Sequence, residues 1–239
     1  MTISEILKRE APQFKLSLTE AQLEAFEIYG RQLVSWNEQV NLTRIIDPTE
    51  IARKHFLDSL SIWPVLPPQP APLSMIDVGS GAGFPGLPLK LIQPNLRLTL
   101  LESTGKKTAF LQHLDQTLQL SQVTILTARA EEAGQQPAHR EQYDLAVARA
   151  VAPLQILAEY TLPFVKVGGW VILQKGQDPS DEIAAAKNAI GILGGKLSEV
   201  IPVTIPGLPA QRHLVILRKH KPTPKPYPRR PGLPTKKPI

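Results

Sequence analysis

The feature that most constrains the fold of this chain is an alternation of short apolar segments with helical segments between residues 74 and 193. Five of the apolar segments predict β-strands: Ser74–Val78, Arg97–Leu101, Val123–Thr127, Leu145–Ala148 and Trp170–Gln174. The main helical patterns lie at Lys106–Leu120, Pro153–Val165 and Asp181–Leu193. Because strands that alternate with helices form parallel βαβ units, the pattern predicts one doubly wound parallel sheet.

The last two apolar segments indicate how the sheet ends. Glu199–Ile205 and His213–Arg218 are separated only by Pro206–Arg212, which is too short for a crossover helix. These two strands should therefore pair antiparallel. Five parallel strands that end in such a pair differ from the order found in Rossmann dehydrogenases. The expected fold class is α/β, with the Rossmann-like seven-stranded sheet of S-adenosylmethionine (SAM)-dependent methyltransferases.

The residues before this sheet have helical patterns of their own. Apolar residues recur at helical spacing in Leu18–Val40, and Thr19 and Gln22 have the spacing of a capping box. A second helix is predicted to begin at Asp47-Pro48, where an N-cap acid precedes a proline in the first turn. We therefore expect a small helical section before the sheet.

Proline is concentrated in two segments that suggest boundaries, and positive charge is concentrated in the second of them. Of the 24 prolines, five lie in residues 64–72 and seven in residues 222–238. Residues 218–239 hold eight of the 27 basic residues and no acid, so the rest of the chain is slightly negative despite a net charge of +6. The predicted units are an N-terminal helical section at 1–70, a SAM-binding methyltransferase domain at 71–218 and a basic Pro-rich tail at 219–239.

The composition excludes several classes of function. There is no cysteine, which rules out disulfides, thiolate metal sites and cysteine nucleophiles. No apolar segment approaches the roughly 20 residues of a membrane span, and Met1–Glu10 lacks the apolar centre of a signal peptide. We expect a soluble cytoplasmic protein, a monomer, without membrane contact.

The strongest functional signal is the glycine-rich segment after the first strand. Glycines allow positive φ and let backbone N–H groups approach a ligand closely. Gly81-x-Gly83-x-x-Gly86 matches a dinucleotide fingerprint, whereas Asp77-x-Gly79-x-Gly81-x-Gly83 matches the acidic loop of SAM enzymes. Asp77 would repel a pyrophosphate and attract a sulfonium or ammonium, so charge favours SAM. A glycine turn with a purely structural role is the alternative.

Three further strand ends carry polar residues at positions that suit a nucleoside. Glu102 follows the second strand, where an acid can accept hydrogen bonds from ribose hydroxyls, although it could also be a surface acid. Arg129–Glu132 follows the third strand, beside an expected adenine, or is a helix-capping pair. Arg149 follows the fourth strand and needs an anionic partner in its apolar surroundings: the SAM carboxylate, an RNA phosphate or a protein acid such as Asp77.

Other residues give weaker or negative signals. His55 and Asp58 have the spacing of two metal ligands, but no third ligand fits, so we predict no metal site and a polar face or cleft lining instead. The fourth strand lacks the Asp/Asn-Pro-Pro-aromatic turn common in amino-group methyltransferases, and the absent cysteine removes cytosine-C5 chemistry. The tail, with Arg229 and Arg230, either contacts RNA phosphates or is a disordered solubilising segment.

Together these segments resemble the RsmG (GidB) family of ribosomal small-subunit RNA guanine-N7 methyltransferases. The matching segments are Asn41–Thr43, His55–Leu60, Asp77–Gly86, Glu102–Lys107, Arg129–Glu131, Arg149–Ala150 and Tyr227–Gly232, and the similarity runs from about residue 17 onward. The resemblance implies SAM as cofactor and, as substrate, a guanine of 16S ribosomal RNA near the decoding region, in the 30S subunit or an assembly intermediate.

Patterns and resemblance together give two sets of candidate residues. Expected at the cofactor are Asp77, Gly79, Gly81, Phe84, Glu102, Ser103, Thr104, Ala130, Glu131 and Arg149. Expected at the RNA are Asn41, Thr43, His55, Asp58, Lys106, Arg229 and Arg230. No acid–base residue is assigned, because guanine N7 carries a lone pair and no proton and can attack the methyl group directly. A nicotinamide-dependent oxidoreductase, a small-molecule methyltransferase and a non-catalytic RNA-binding protein remain as alternatives.

Overall fold

A computed structural model describes residues 1–66, 72–149, 152–176 and 178–239. Within these residues a seven-stranded sheet has the order β3-β2-β1-β4-β5-β7-β6. The strands are β1 (Ser74–Val78), β2 (Arg97–Glu102), β3 (Val123–Thr127), β4 (Tyr143–Arg149), β5 (Val165–Lys175), β6 (Gly195–Val203) and β7 (Arg212–Lys219). Strands β1 to β5 are parallel, and β7 pairs antiparallel with both β5 and β6. The predicted fold class and the predicted antiparallel final pair are confirmed.

The helices cover both faces of this sheet. They are α1 (Ile3–Glu10), α2 (Glu20–Val40), α3 (Pro48–Ile51), α4 (Asp58–Leu60), α5 (Gly86–Ile92), α6 (Gly105–Thr117), α7 (Ala130–Ala133), α8 (Leu154–Thr161), α9 (Ser180–Ile192) and α10 (Leu233–Lys236). Successive strand residues point to opposite faces, so Met75 packs in the core on the side of α1, α2, α5 and α6, and Ile76 in the core on the side of α8 and α9. In the part of the chain that the structure describes, no helix is both long and apolar enough to cross a membrane.

The N-terminal helical section packs directly on the sheet domain. Helix α2 begins with the predicted capping box of Thr19 and Gln22, and Asp47 caps α3 as predicted. Helix α1 was not predicted, and it buries Ile6 and Leu7 in the same core as α2 and α5. The helix that starts at Asp47 also differs from the prediction. It changes into a π-helical turn at Ala52–Leu57 before α4 continues it. The predicted boundary at residues 70 and 71 lies outside the described residues.

The C-terminal tail is ordered and packs on the sheet domain. We call residues 223–237 the C-terminal strap, because they run across α7 and α8 and end in α10. Arg140 donates hydrogen bonds to the Thr223 and Tyr227 carbonyls, at 2.7 and 2.6 Å. Pro228 is buried against Gly134, where an added Cβ would lie 2.9 Å from the proline ring. The alternative of a disordered solubilising tail is therefore wrong.

Candidate functional site

A cavity of about 470 Å³ opens where the carboxyl ends of β1 to β4 meet. This is the edge at which open α/β sheets bind ligands, and the volume falls within the range of small-molecule sites. Its lining comprises Leu42, Thr43, His55, Val78, Gly79, Ser80, Gly81, Ala82, Phe84, Leu101, Glu102, Ser103, Thr104, Lys107, Ala128, Arg129, Ala130, Glu131, Arg149 and Tyr160. The residues predicted at the strand ends therefore meet at one place.

The glycine loop forms one wall of this cavity. Gly79, Gly81 and Gly83 have φ values of 76°, 59° and 97°, in the left-handed region that favours glycine. The N–H group of Gly79 donates to the Leu101 carbonyl at 2.8 Å, which ties the loop to β2. From the other side, the buried Tyr29 hydroxyl of α2 donates to the Ala82 carbonyl at 2.6 Å. The loop is thus held by both the sheet and the helical section.

Glu102 is fixed at the end of β2 by two backbone groups. Its Oε2 accepts a hydrogen bond from Gly81 N–H at 3.0 Å, and its Oε1 accepts one from Thr104 N–H at 2.8 Å. The residue is only 7% exposed, yet it lines the cavity. A carboxylate oxygen has two lone pairs, so each oxygen can accept one more hydrogen bond from a ligand.

Asp77, which the sequence predicts at the cofactor, is not among the residues that line the cavity. It is fully buried, and its Oδ2 accepts a hydrogen bond from Gly86 N–H, the first residue of α5, at 2.8 Å. Burial raises the pKa of Asp77 to about 7, against the opposing effects of this N–H group and of the positive Arg149. A carboxylate at a helix N-terminus is favourable, so Asp77 stabilises the start of α5, where the glycine loop ends.

Arg149 finds its anionic partner inside the protein. Its Nη1 lies 2.9 Å from Asp58 Oδ2, and Asp58 is also 3.4 Å from Arg212 Nε. The same Nη1 donates to the Lys54 carbonyl in the π-helical turn at 3.1 Å, and the guanidinium carbon lies 4.8 Å from the centre of the Phe84 ring. Of the three partners considered from the sequence, the structure therefore shows a protein acid, but this acid is Asp58 and not Asp77.

His55 links this ion pair to the cavity. Arg149 Nη2 lies 3.3 Å from His55 Nδ1 and can only donate, so Nδ1 accepts and the ring proton of the neutral imidazole is on Nε2. That Nε2 lies 2.9 Å from Thr43 Oγ1. The imidazole stacks on Phe84 with 4.6 Å between ring centres. Burial, together with the charge of Arg149, lowers the pKa of His55 to about 3, so the ring is neutral at physiological pH.

The lowered pKa of His55 gives a prediction about acid stability. Unfolding restores an ordinary pKa near 6.5, so the stability of the neutral buried ring is present above pH ~6.5 and is lost as the pH falls toward 3. Between pH ~6.5 and ~4.5, wild type should lose about 2–3 kcal/mol more free energy of unfolding than His55→Gln. Urea unfolding of both proteins at several pH values measures this difference. His220→Gln, at an exposed position, serves as control. Parallel pH curves for wild type and His55→Gln would contradict the prediction.

The wall beyond β3 is formed by α7 and α8. Ala130 and Glu131 begin α7, and Tyr160 lies near the end of α8. The Tyr160 hydroxyl donates to Glu131 Oε1 at 3.3 Å. Glu131 Oε1 also accepts a hydrogen bond from Gly232 N–H of the C-terminal strap at 2.9 Å.

The structure divides the residues predicted from the sequence into two groups. Those that line the cavity are Gly79, Gly81, Phe84, Glu102, Ser103, Thr104, Ala130, Glu131, Arg149, Thr43 and His55. Those outside the lining are Asp77, Asn41, Asp58, Lys106, Arg229 and Arg230. Arg229 pairs with the buried Glu159, whereas Arg230 is exposed.

Nine lining residues are absent from the two candidate sets, and Lys107 and Tyr160 are among them. Lys107 follows Lys106 in the first turn of α6, and only a known helix start shows which of the two faces the cavity. Among the described residues, no three His, Asp or Glu side chains form a group that could hold a metal ion.

The strand order, the glycine loop and the acid at the next strand end define the class of SAM-dependent methyltransferases. A solved structure described as "Conversion of a Disulfide Bond into a Thioacetal Group during Echinomycin Biosynthesis" shares the fold, with a TM-score of 0.55 and 13% identity over 70% of this chain and 86% of that chain. The family model described as rRNA small subunit methyltransferase G matches residues 22–215, and the chain belongs to this family.

Curated relatives agree over almost the whole length. Ribosomal RNA small subunit methyltransferase G of Roseiflexus sp. (strain RS-1) is 51% identical over 98% of this chain and 99% of its own length. The protein of the same name from Alkaliphilus metalliredigens is 48% identical over 98% of each chain. Membership of this family decides against the nicotinamide-dependent oxidoreductase that the glycine fingerprint left open.

Proposed function

We propose that this chain methylates N7 of a guanine in small-subunit (16S) ribosomal RNA, by direct in-line transfer from SAM without a general base. The proposal includes a cytoplasmic, monomeric enzyme that acts on the 30S subunit or an assembly intermediate. Its relatives are named for methylation of small-subunit ribosomal RNA. The observation that carries the mechanism is the state of His55, a histidine in the lining of the cavity.

The cavity has the groups that a SAM molecule needs. Glu102 presents a fixed carboxylate to the ribose hydroxyls, and Ser103 and Thr104 lie beside it. Ala130 and Glu131 border the expected adenine. Gly79, Gly81 and Phe84 border the methionine end, where Arg149 can face a carboxylate without leaving Asp58. SAM supplies an electrophilic methyl group, and the protein supplies position and charge.

His55 cannot readily accept a proton. Its pKa of about 3 makes it a weak base at neutral pH, and both ring nitrogens already have partners, Thr43 and Arg149. Guanine N7 needs no base, because its lone pair attacks the methyl group directly. A rate enhancement from in-line positioning and from electrostatics fits such a site better than acid–base catalysis does.

Positive side chains around the cavity mouth suit an RNA substrate. Lys107 and Arg129 line the cavity. Arg44 and Lys106 are exposed, and each is next in sequence to a residue of the lining. Such residues neutralise phosphates and make affinity depend on salt. Since A-form RNA hides N7 in a deep, narrow groove, the guanine must be unpaired or opened when it enters.

The decisive experiment compares ribosomal RNA from a wild-type strain and from a strain that lacks the gene. Chemical mapping of N7-methylguanine should show one site of 16S RNA that loses its methyl group in the deletion strain. The gene for wild-type protein should restore the methyl group. Loss of a methyl group from an adenine amine or a cytosine C5 would show that the proposed mechanism is wrong.

Glu102→Ala provides a matched control with a weakened cofactor site. Without the carboxylate, SAM and S-adenosylhomocysteine should bind about 1–3 kcal/mol more weakly, because hydrogen bonds to a charged group are lost. Isothermal titration calorimetry measures this change, and NAD should not bind to either protein. Unchanged affinity in Glu102→Ala would contradict the assignment of this carboxylate to the cofactor.

A further inference from the structure

The C-terminal strap contacts residues that form the cavity wall. Two of the residues that line the cavity, Glu131 and Tyr160, have hydrogen-bond partners in the strap. Gly232 N–H donates to Glu131 Oε1 at 2.9 Å, and the Tyr160 hydroxyl lies 3.2 Å from Thr235 Oγ1. Glu131 is only 4% exposed, so the loss of a donor would leave a buried carboxylate short of partners.

Arg229 anchors the strap at this place. Its backbone N–H donates to Glu159 Oε1 at 2.7 Å, its Nε to the same oxygen at 2.9 Å, and its Nη2 to Oε2 at 2.6 Å. Glu159 belongs to α8, the helix that also carries Tyr160, and its side chain is only 1% exposed. The pairing with Glu159 raises the pKa of Arg229, so the guanidinium stays charged. A planar two-point contact of this kind fixes direction as well as distance.

The same guanidinium holds the end of the strap. Arg229 Nη1 donates to the Lys237 carbonyl at 2.8 Å, which closes the segment that contains α10. Gly232 and Thr235, the partners of the cavity residues, lie between these two points. Arg229 therefore determines whether the strap presents its donors to Glu131 and Tyr160.

We propose that the strap is a working part of the cofactor site and that Arg229 is a positioning residue for it, acting through Gly232 on Glu131. The proposal rests on the assignment of Glu131 to the adenosyl end of the cofactor. Because the docked strap stabilises the binding conformation of Glu131, cofactor binding must in turn stabilise the docked strap. Thermodynamic linkage requires the two effects to be equal.

Hydrogen exchange of the wild-type protein tests this reciprocity without any substitution. Mass spectrometry should show slower amide exchange in residues 223–237 when S-adenosylhomocysteine is saturating, by about fivefold or more. Peptides from β6, at the far edge of the sheet, serve as internal control and should change little. Equal exchange of the strap with and without S-adenosylhomocysteine would overturn the proposal.

Arg229→Ala and Arg230→Ala form a matched pair, because each removes one guanidinium from neighbouring positions. Only Arg229 is paired with a buried acid, whereas Arg230 is exposed. In Arg229→Ala the dissociation constant for S-adenosylhomocysteine and the KM for SAM should rise about tenfold, with kcat nearly unchanged. In Arg230→Ala the dissociation constant for S-adenosylhomocysteine, measured without RNA, should stay within about twofold of wild type.

If Arg229→Ala does not fold, Arg229→Lys keeps a positive charge opposite Glu159 but loses the two-point contact, and it should weaken binding by about threefold or more. Equal affinities for wild type and the folded Arg229 variant would overturn this inference alone. Failure of wild type to bind S-adenosylhomocysteine would instead overturn the proposed function.

Discussion

Arg149→Ala should lower the free energy of unfolding by about 3 kcal/mol, because the buried Asp58 loses its guanidinium partner at 2.9 Å and keeps only the longer contact with Arg212 at 3.4 Å. The same substitution should reduce single-turnover methylation, per folded molecule, by about tenfold or more, which is ~1.4 kcal/mol of transition-state stabilisation. Two effects are expected because Arg149 both pairs with Asp58 and lines the cavity beside Phe84. Urea unfolding and a rapid-quench methylation assay measure them separately.

The double variant Arg149→Ala/Asp58→Asn separates stability from activity. Asparagine removes the buried charge that Arg212 alone would have to balance, so the double variant should regain part of the lost stability and none of the lost activity. Arg149→Lys should also restore little activity, since an ammonium cannot make the planar contact of a guanidinium. Normal methylation by folded Arg149→Ala would show that Arg149 is only a structural member of the ion pair.

Gly83→Ala should be far more damaging than Gly81→Ala, although the two glycines are close together in the same loop. At Gly83, φ is 97° and an added Cβ would lie 2.5 Å from both Leu87 Cδ1 and the Tyr29 hydroxyl oxygen. At Gly81, φ is 59° and the nearest heavy atom to an added Cβ is 3.9 Å away. We expect a loss of about 1–2 kcal/mol in stability for Gly81→Ala and at least about 3 kcal/mol for Gly83→Ala.

A second substitution shows whether the helical section causes this difference. Tyr29→Phe removes the hydroxyl that would collide with the new methyl group. In wild type it should cost about 1 kcal/mol, because the Ala82 carbonyl loses its donor. In the Gly83→Ala background it should cost less or be stabilising. Thermal or urea unfolding measures these effects. If the two substitutions change the free energy of unfolding additively, the Tyr29 hydroxyl does not collide with the methyl group added at residue 83.

Local patterns predicted the strands of the sheet better than they predicted all of the strand bounds. Strands β1 and β3 begin and end at the predicted residues, whereas β5 begins at Val165 and β6 at Gly195, before the predicted Trp170 and Glu199. Helix α1 was missed although Thr2 and Glu5 form a capping box like that of α2, because eight residues are too few for the apolar spacing alone to predict a stable helix. The π-helical turn at Ala52–Leu57 was missed for a similar reason: its sequence has ordinary helical spacing, and a partner from β4 contacts its carbonyls.

The sequence predicted which residues meet at the cavity better than it predicted their partners. Glu102 and the glycine loop are close to each other because adjacent parallel strands end at the same edge. The partner of Arg149 is 91 residues away, and the partner of Arg229 is 70 residues away. No local pattern reports such a distant pairing. A basic residue that neutralises a buried acid looks, in sequence, the same as one that contacts a phosphate.

The bond between Tyr29 and the glycine loop limits how this enzyme can be divided or recombined. The helical section shares one apolar core with the sheet and contributes Thr43 and His55 to the cavity wall. A sheet domain produced alone would lose both that wall and the support of its loop. A helical section transplanted from another methyltransferase would change one wall of the cavity along with the support of the glycine loop. Chimeras should therefore exchange the helical section and residues 79–86 together, as one unit.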